Sequence, residues 1–232
     1  LASMYTRKLS VPAVLRHGRA VLLNAVPARS APLISVIPDE LEAGRTAART
    51  LLGAGYSKGI YLIGAGPSAT QRPKPTAALA ALERLQGIKE TLAAASVRLG
   101  GAVACQEWEP ELGYAAVEGL ISRRADVRAL ICFNDRLAVG ACNALHDAGL
   151  GVPDDVSVVS FDDDPIASWV KPQLTTIALP HYELGRRSIE LLLTQDDRRS
   201  SGPGSRGPDS GTVVRVPMPL RKRASVKASA VG

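Results

Sequence analysis

Short runs of aliphatic and β-branched residues alternate along this chain with longer stretches whose apolar positions recur at helical spacing. Residues 20–24 (AVLLN) and 33–37 (LISVI) predict short buried strands. Residues 38–55 (PDELEAGRTAARTLLGAG) predict a helix, with Leu41, Ala48, Leu51 and Leu52 on one face. Asp39 stands as its N-cap with Glu42 three residues on, and Gly53 or Gly55 offers the C-cap. A strand over 59–63 (GIYLI) leads into a loop with Pro67, Pro73 and Pro75, and Thr76 opens a helix to about Val97. The alternation continues with a strand near 101–105, a helix over 111–123, a strand over 129–133, a helix over 135–148 and a strand over 156–161. After LTTIALP (174–180) comes a helix over 181–193, then a Gly/Ser/Pro-rich stretch, 196–211, that predicts a flexible surface loop. TVVRVPMPL (212–220) predicts one last strand, and the Ala/Ser/Lys-rich end a disordered tail. Strands alternating with helices of this length imply an α/β fold of right-handed βαβ units around parallel sheets.

Composition narrows this little. The 232 residues are 46% hydrophobic and only 4% aromatic, which suits an α/β core better than a β-sandwich. The net charge of +6 invites a nucleic-acid reading, but Arg215, Arg221, Lys222, Arg223 and Lys227 crowd into the C-terminal end, where a solvated basic tail is the simpler account. Cys105, Cys132 and Cys142 cannot all pair with one another and read as free thiols of a reducing compartment. No stretch approaches the ~20 apolar residues of a membrane-spanning helix. Arg7 and Lys8 follow the apolar start instead of preceding it, so LASMYTRKLS is not read as a signal peptide.

One segment invites a cofactor reading. Gly64, Gly66 and Ala69 in YLIGAGPSA have the G-x-G-x-x-A spacing of a dinucleotide turn. In such a turn a helix follows at once and holds the pyrophosphate at its N-terminus. Here prolines occupy that place, and Glu83 and Glu90 fall inside a predicted helix instead of ending a second strand. No cofactor is expected. What survives is the rule that open parallel sheets bind ligands beyond their carboxyl edge. The residues there are Asn24, Gly64–Gly66, Gln106-Glu107-Trp108, Asn134-Asp135 and Asp162-Asp163-Asp164. Amides, carboxylates and an indole suit a polyhydroxylated ligand such as a sugar or nucleoside. Each residue also has a plainer reading. Asp135 can cap the helix that follows it, Trp108 and Trp169 can pack, Asp163 and Asp164 can turn the chain ahead of Pro165, and Arg84 can lie on a solvated helix face. His17, His146 and His181 are scattered without metal-ligand spacing, and no nucleophile elbow or P-loop is present. An acidic cluster at 162–164 could hold Mg²⁺, but no second acidic group at a strand end supports it. The chain reads as a binder, not an enzyme.

Residues 130–193 (LICFNDRLAVGACNALHDAGLGVPDDVSVVSFDDDPIASWVKPQLTTIALPHYELGRRSIELLL) closely resemble the LacI/GalR family of bacterial transcription regulators. The resemblance rests on F-x-N-D-x-x-A-x-G, G-x-x-V-P-x-D-V-S-V-V, F-D-D and P-x-L-T-T-I. It extends to VIPDELEAGRTAARTLLGAGYSKGIYLIG, to ERLQG and to the terminal VPMPLRKRAS. It implies a two-lobed periplasmic-binding-protein-like (type I) core with parallel sheets flanked by helices and an effector in the cleft. By the same resemblance, residues 1–37 and 178–198 form a first lobe incomplete at its N-terminus, 38–177 and 199–222 form the second, and 223–232 are a disordered tail. Crossovers fall near Val36–Pro38, Ile177–Pro180 and 196–211. The implied ligand-binding residues are Asn24, Arg84, Asn134 and Asp162, with Trp108 beside them; no metal is implied. Ser160, Tyr56 and Leu179 depart from a glycine, a histidine and a glutamine found in relatives. The implied partners are a carbohydrate effector, a second copy of the chain in a homodimer, and operator DNA through a headpiece not seen in this chain; no membrane is involved. The implied protein is a cytoplasmic, non-enzymatic regulator. Two rivals stand beside it: a periplasmic sugar-binding protein of a transport system, and a nucleotide-dependent enzyme built on 61–69.

Overall fold

The computed structural model describes residues 1–16, 20–65, 79–200 and 211–228. Residues 66–78, where the proline loop and the helix start at Thr76 are expected, lie outside them, as do 17–19, 201–210 and 229–232. In chain order the elements begin β1 (Ala2–Leu9), α1 (Ala13–Arg16), β2 (Val21–Pro27), β3 (Ile34–Pro38), α2 (Glu40–Gly53), β4 (Ile60–Ile63) and α3 (Leu79–Ala94). There follow β5 (Gly101–Val103), α4 (Pro110–Ser122), β6 (Ala129–Cys132), α5 (Asp135–Asp147), β7 (Ser157–Asp162) and α6 (Ile166–Trp169). The chain closes with β8 (Thr175–Ala178), α7 (His181–Ser200), β9 (Val213–Val216) and β10 (Leu220–Arg221). These elements divide between two compact units.

The first unit comprises Leu1–Asp39, Pro73–Ala80 and Pro180–Pro217. Its sheet has the order β1-β2-β3-β9, every pair parallel. Strand alternation sends Val21 to one cluster with Ile34 and Val36, and Leu22 to another with Val11, Ala25 and Leu33. Leu184 and Leu191, seven apart and so on one face of α7, bury against the first of these clusters. The strand predicted to end at Asn24 runs on to Pro27. Asn24 has φ +56° and sits where the β1–β2 register shifts, so the ladder resumes past it at Ala25.

The second unit comprises Glu40–Arg72, Ala81–Leu179 and Met218–Gly232. Its sheet has the order β10-β8-β7-β6-β4-β5, parallel except for β10. Strands β6 and β8 are buried along their whole length, as expected of central strands covered on both faces. Phe133 and Phe161 are the largest fully buried side chains of the core. Tyr56 donates its hydroxyl to Ser157 at 2.8 Å.

Four expectations need correction. The single strand predicted over 212–220 is two strands in different sheets: Val213–Val216 pairs with β3 in the first unit, and Leu220–Arg221 pairs with β8 in the second. Pro217 and Pro219 lie between them and cannot donate to a ladder. The chain therefore passes to the second unit at Pro217/Met218, not in 196–211, and residues up to 217 belong with the first unit. Helix α7 continues through Ser200, so 196–200 are helix and not loop; 201–210 of that expected loop lie outside the described residues. The predicted tail is also ordered through 228. Ser225 is fully buried, its hydroxyl donates to Val158 O at 2.6 Å and accepts from Thr175 N at 2.8 Å, and Val158 N donates to Ser225 O.

Candidate functional site

Arg84, Trp108, Asn134 and Asp162 all belong to the second unit, and the structure brings them together at the carboxyl ends of β4, β6 and β7. Asn24 belongs to the first unit, where its side-chain oxygen accepts the Thr6 hydroxyl at 2.6 Å. The backbone explains one glycine of the site. Gly64 has φ +88°, and a β-carbon there would meet Leu137 at 2.5 Å and the Trp108 indole nitrogen at 3.3 Å.

Arg84 is not on a solvated face. It is 2% exposed, and its guanidinium is aimed at specific acceptors. Nε donates to Glu40 Oε2 at 2.5 Å, Nη2 to Glu40 Oε1 and to Asp162 Oδ1, both at 3.2 Å, and Nη1 to Phe133 O at 2.6 Å. The cation also lies over the Phe161 ring, 4.4 Å from its centroid, with the Trp108 ring at 5.9 Å. Burial alone would lower the guanidinium's pKa, but Glu40 and Asp162 outweigh it and hold the group charged. Glu40 is the residue that sequence reasoning missed. It opens α2, where an acid reads simply as a complement to the helix dipole, and its partner lies 44 positions away.

Asp162 closes β7 with φ +105°, its side chain partly exposed and paired with Arg84, while its carbonyl accepts Leu179 N. Asn134 is the N-cap of α5. Its Oδ1 accepts Leu137 N at 2.9 Å and its Nδ2 donates to Trp108 O at 2.9 Å. The cap is therefore Asn134, not Asp135. Its acceptor is engaged inside the protein, which leaves Nδ2 with the capacity for one further donation. The half-buried Trp108 meets Phe133 edge-on at 5.9 Å, so one indole combines packing with exposure beside Arg84.

Asp135 is buried and acts as a strut. Its carboxylate accepts the Ser160 hydroxyl at 2.5 Å and Asp164 N at 2.8 Å. Burial pushes its pKa up to about 6, against the hydrogen bonds from Ser160, Thr176 and Asp164 that favour the charged form. Asp164 in turn accepts Ile166 N at the start of α6, and Asp163 accepts Arg223 at 2.6 Å. Both are turn residues, as read, but Arg223 is thereby taken out of the solvated basic tail. Trp169 is 74% exposed, and His146 and His181 are exposed. Among the described residues no group of three or more His, Cys, Asp or Glu is placed to hold a metal ion, and no helix is long and apolar enough to cross a membrane. Cys105, Cys132 and Cys142 are free thiols, and burial pushes Cys142 up to about 12.

The described family that matches is the periplasmic binding protein-like domain, over residues 48–226. The chain is 31% identical over 205 residues to the HTH-type transcriptional regulator AscG of Escherichia coli (strain K12), covering 86% of this chain and 58% of that protein. It is 32% identical over 152 residues to the ribose operon repressor of Haemophilus influenzae, covering 65% of this chain and 42% of that one. The chain thus spans about half the length of these relatives. Among solved structures it matches a sugar-binding transcriptional regulator of the LacI family from Escherichia coli, complexed with phosphate. That match has a TM-score of 0.70 and 28% identity, and covers 90% of this chain and 68% of the other.

Proposed function

The chain belongs to the periplasmic binding protein-like domain family, and from that premise we propose that it is the effector-binding and dimerisation core of a LacI-type transcriptional regulator. The observation that carries this reading is the buried Arg84 reaching Asp162 beneath Trp108. A carboxylate held by a fixed cation accepts from vicinal hydroxyls, and the adjacent indole offers an apolar face to a sugar ring. Asn24, Arg84, Asn134, Asp162 and Trp108 are the effector residues of this reading, with Arg84 acting chiefly through Asp162. The effector is a carbohydrate, the assembly a homodimer, the setting cytoplasmic, and no reaction is catalysed. The rest of the regulator contacts operator DNA, and the effector acts by binding two arrangements of the core with different affinity. Relatives named as regulators favour this over a transport protein.

A thermal-shift screen of mono- and disaccharides tests the reading. At least one sugar raises the melting temperature, and Asp162→Ala removes that rise while the chain still unfolds cooperatively. If no sugar in the panel shifts the protein, or if Asp162→Ala responds like the wild type, the carbohydrate site is not here.

A further inference from the structure

We propose that Glu40 sets the charge selectivity of the Arg84–Asp162 site, admitting uncharged polyols and rejecting ligands that bring a phosphate or carboxylate; this rests on the effector-binding reading above. An arginine fork in a binding site is ordinarily an anion receptor, because its N–H groups match a carboxylate or phosphate two at a time. Here that capacity is already spent. Glu40 takes Nε and Nη2 in a side-on pair, Asp162 takes the second Nη2 hydrogen, and Phe133 O takes one on Nη1. One N–H of five is left for a ligand.

The charge balance points the same way. One guanidinium faces two carboxylates, so the cluster carries a net charge of about −1. The side chains of Arg84 and Glu40 are 3% and 2% exposed and that of Asp162 is 29% exposed, so water screens the cluster from the Asp162 side only. Among the described residues of the second unit, nearby charges do not reverse the sign. Asp163 pairs with both Arg223 at 2.6 Å and Arg221 at 3.5 Å, and the extra cation is offset by the adjacent Asp164 and by Asp135, when ionised. An incoming anion therefore meets a negative cluster with one donor, whereas a hydroxyl finds an acceptor in Asp162. Glu40 lies behind Arg84, at the start of α2, and acts through it as a positioning residue. Without the Glu40 charge the cluster is neutral, and a Gln amide oxygen at that place still accepts from Arg84, so the change is one of charge more than of free donors.

The test uses the whole chain with Trp169→Phe, which leaves Trp108, 5.9 Å from the Arg84 guanidinium, as the one tryptophan. Quenching of its fluorescence by iodide, by caesium and by uncharged acrylamide reads the local potential directly. Iodide is expected to quench less than caesium once each is divided by its own quenching of free N-acetyltryptophanamide and both are scaled to acrylamide. Glu40→Gln raises the scaled iodide quenching about twofold, the Boltzmann factor for one charge several ångströms away in water. Glu40→Asp, which keeps the charge, restores the wild-type ratio. A scaled iodide response equal in all three proteins overturns the proposal. Should Glu40→Gln not fold, the wild-type caesium preference decides, and its absence is fatal. A second arm compares ribose with ribose 5-phosphate by thermal shift. Ribose alone shifts the wild type, and Glu40→Gln admits the phosphate ester. Charge-selective quenching together with no response to any neutral sugar upholds the role of Glu40 and removes the carbohydrate reading instead. An equal response of the wild type to both ribose compounds overturns the role of Glu40 and leaves the carbohydrate reading standing.

Discussion

Ser160 donates its hydroxyl to Asp135 across 2.5 Å inside the second unit, and both residues are out of water. The same carboxylate receives Asp164 N, so one buried acid fixes the strand before the 162–164 turn and the backbone after it. Asp162 and Asp163 take positive φ within that turn, +105° and +57°, which non-glycine residues adopt only when neighbours over-determine them. The Ser160 hydroxyl makes one of the bonds that sustain the turn.

The first prediction follows from the Asp135 pKa, raised from 3.8 to about 6 chiefly by burial. Between those values the unfolded chain releases a proton that the folded chain retains. Folding stability attributable to Asp135 therefore falls as pH rises through this window and is level above it, by at most about 3 kcal/mol at roughly 1.4 kcal/mol per tenfold change in proton affinity. Glu42 and Glu90, whose pKa values are lowered by arginine or glutamine partners, act in the opposite sense and lose their contribution as pH falls. They are common to both proteins, so urea unfolding of wild type against Asp135→Asn from pH 4 to 6.5 isolates the buried acid. A difference curve without slope would show that Asp135 titrates normally.

Asn134 carries the second prediction. Its amide caps α5 through Oδ1 and holds Trp108 O through Nδ2. Asn134→Ala loses both and should cost about 2 kcal/mol, at the upper end of cap losses. Asn134→Asp keeps the cap acceptor, so it should be the milder change in stability while still moving the Trp108 emission. Equal stability losses in the two variants would mean that the Trp108 bond, not the cap, dominates.

Glycines on two helices give opposite predictions for the same substitution. A β-carbon on Gly140 would stand 1.7 Å from Pro110 O, because α4 and α5 meet backbone to backbone. Gly140→Ala must push the helices apart and should cost about 3 kcal/mol. A β-carbon on Gly185, inside α7, meets nothing within 4 Å, so Gly185→Ala should stabilise by roughly 0.5–1 kcal/mol. Thermal unfolding of both variants checks the pair, and a tolerated Gly140→Ala would refute the close approach.

The alternation of apolar runs and amphipathic stretches predicted α2, α3, α4, α5 and β4 to β7 of the second unit, because that signal is local, and it left the short α6, β8 and β10 unassigned. The resemblance read from residues 130–193 points to the regulators that the comparisons also find, since FNDRLAVG follows directly on β6 and carries the cap of α5, and VSVVSFDDD carries β7 and the turn after it. What stayed hidden was long-range. Nothing local in VVRVPMPLR says that its halves join different sheets, and nothing near Glu40 announces a partner 44 residues on. Asn24 reads as a strand end because Asn is a turn former that tolerates positive φ, whereas here the strand absorbs that φ at a register shift and runs on to Pro27. The tail misled most plainly: polar composition predicts disorder when each polar atom has only water to bond, and Ser225 has Val158 and Thr175 instead.

Ser225 therefore supplies the last prediction. Its side chain satisfies the buried Val158 carbonyl and Thr175 N–H at once, and its own carbonyl accepts Val158 N at 2.7 Å. Ser225→Ala leaves one buried donor and one buried acceptor without that partner, and such orphaned groups cost about 1–3 kcal/mol each when water cannot reach them. The variant should lose about 2–3 kcal/mol in urea unfolding. Lys222→Ala, at an exposed position two residues past Leu220, should stay within roughly 0.5 kcal/mol of wild type. Removing everything after Arg221 takes away the main-chain bonds as well and should destabilise more than Ser225→Ala does. If the truncated chain instead unfolds at the wild-type urea concentration, the terminal residues are not part of the folded second unit.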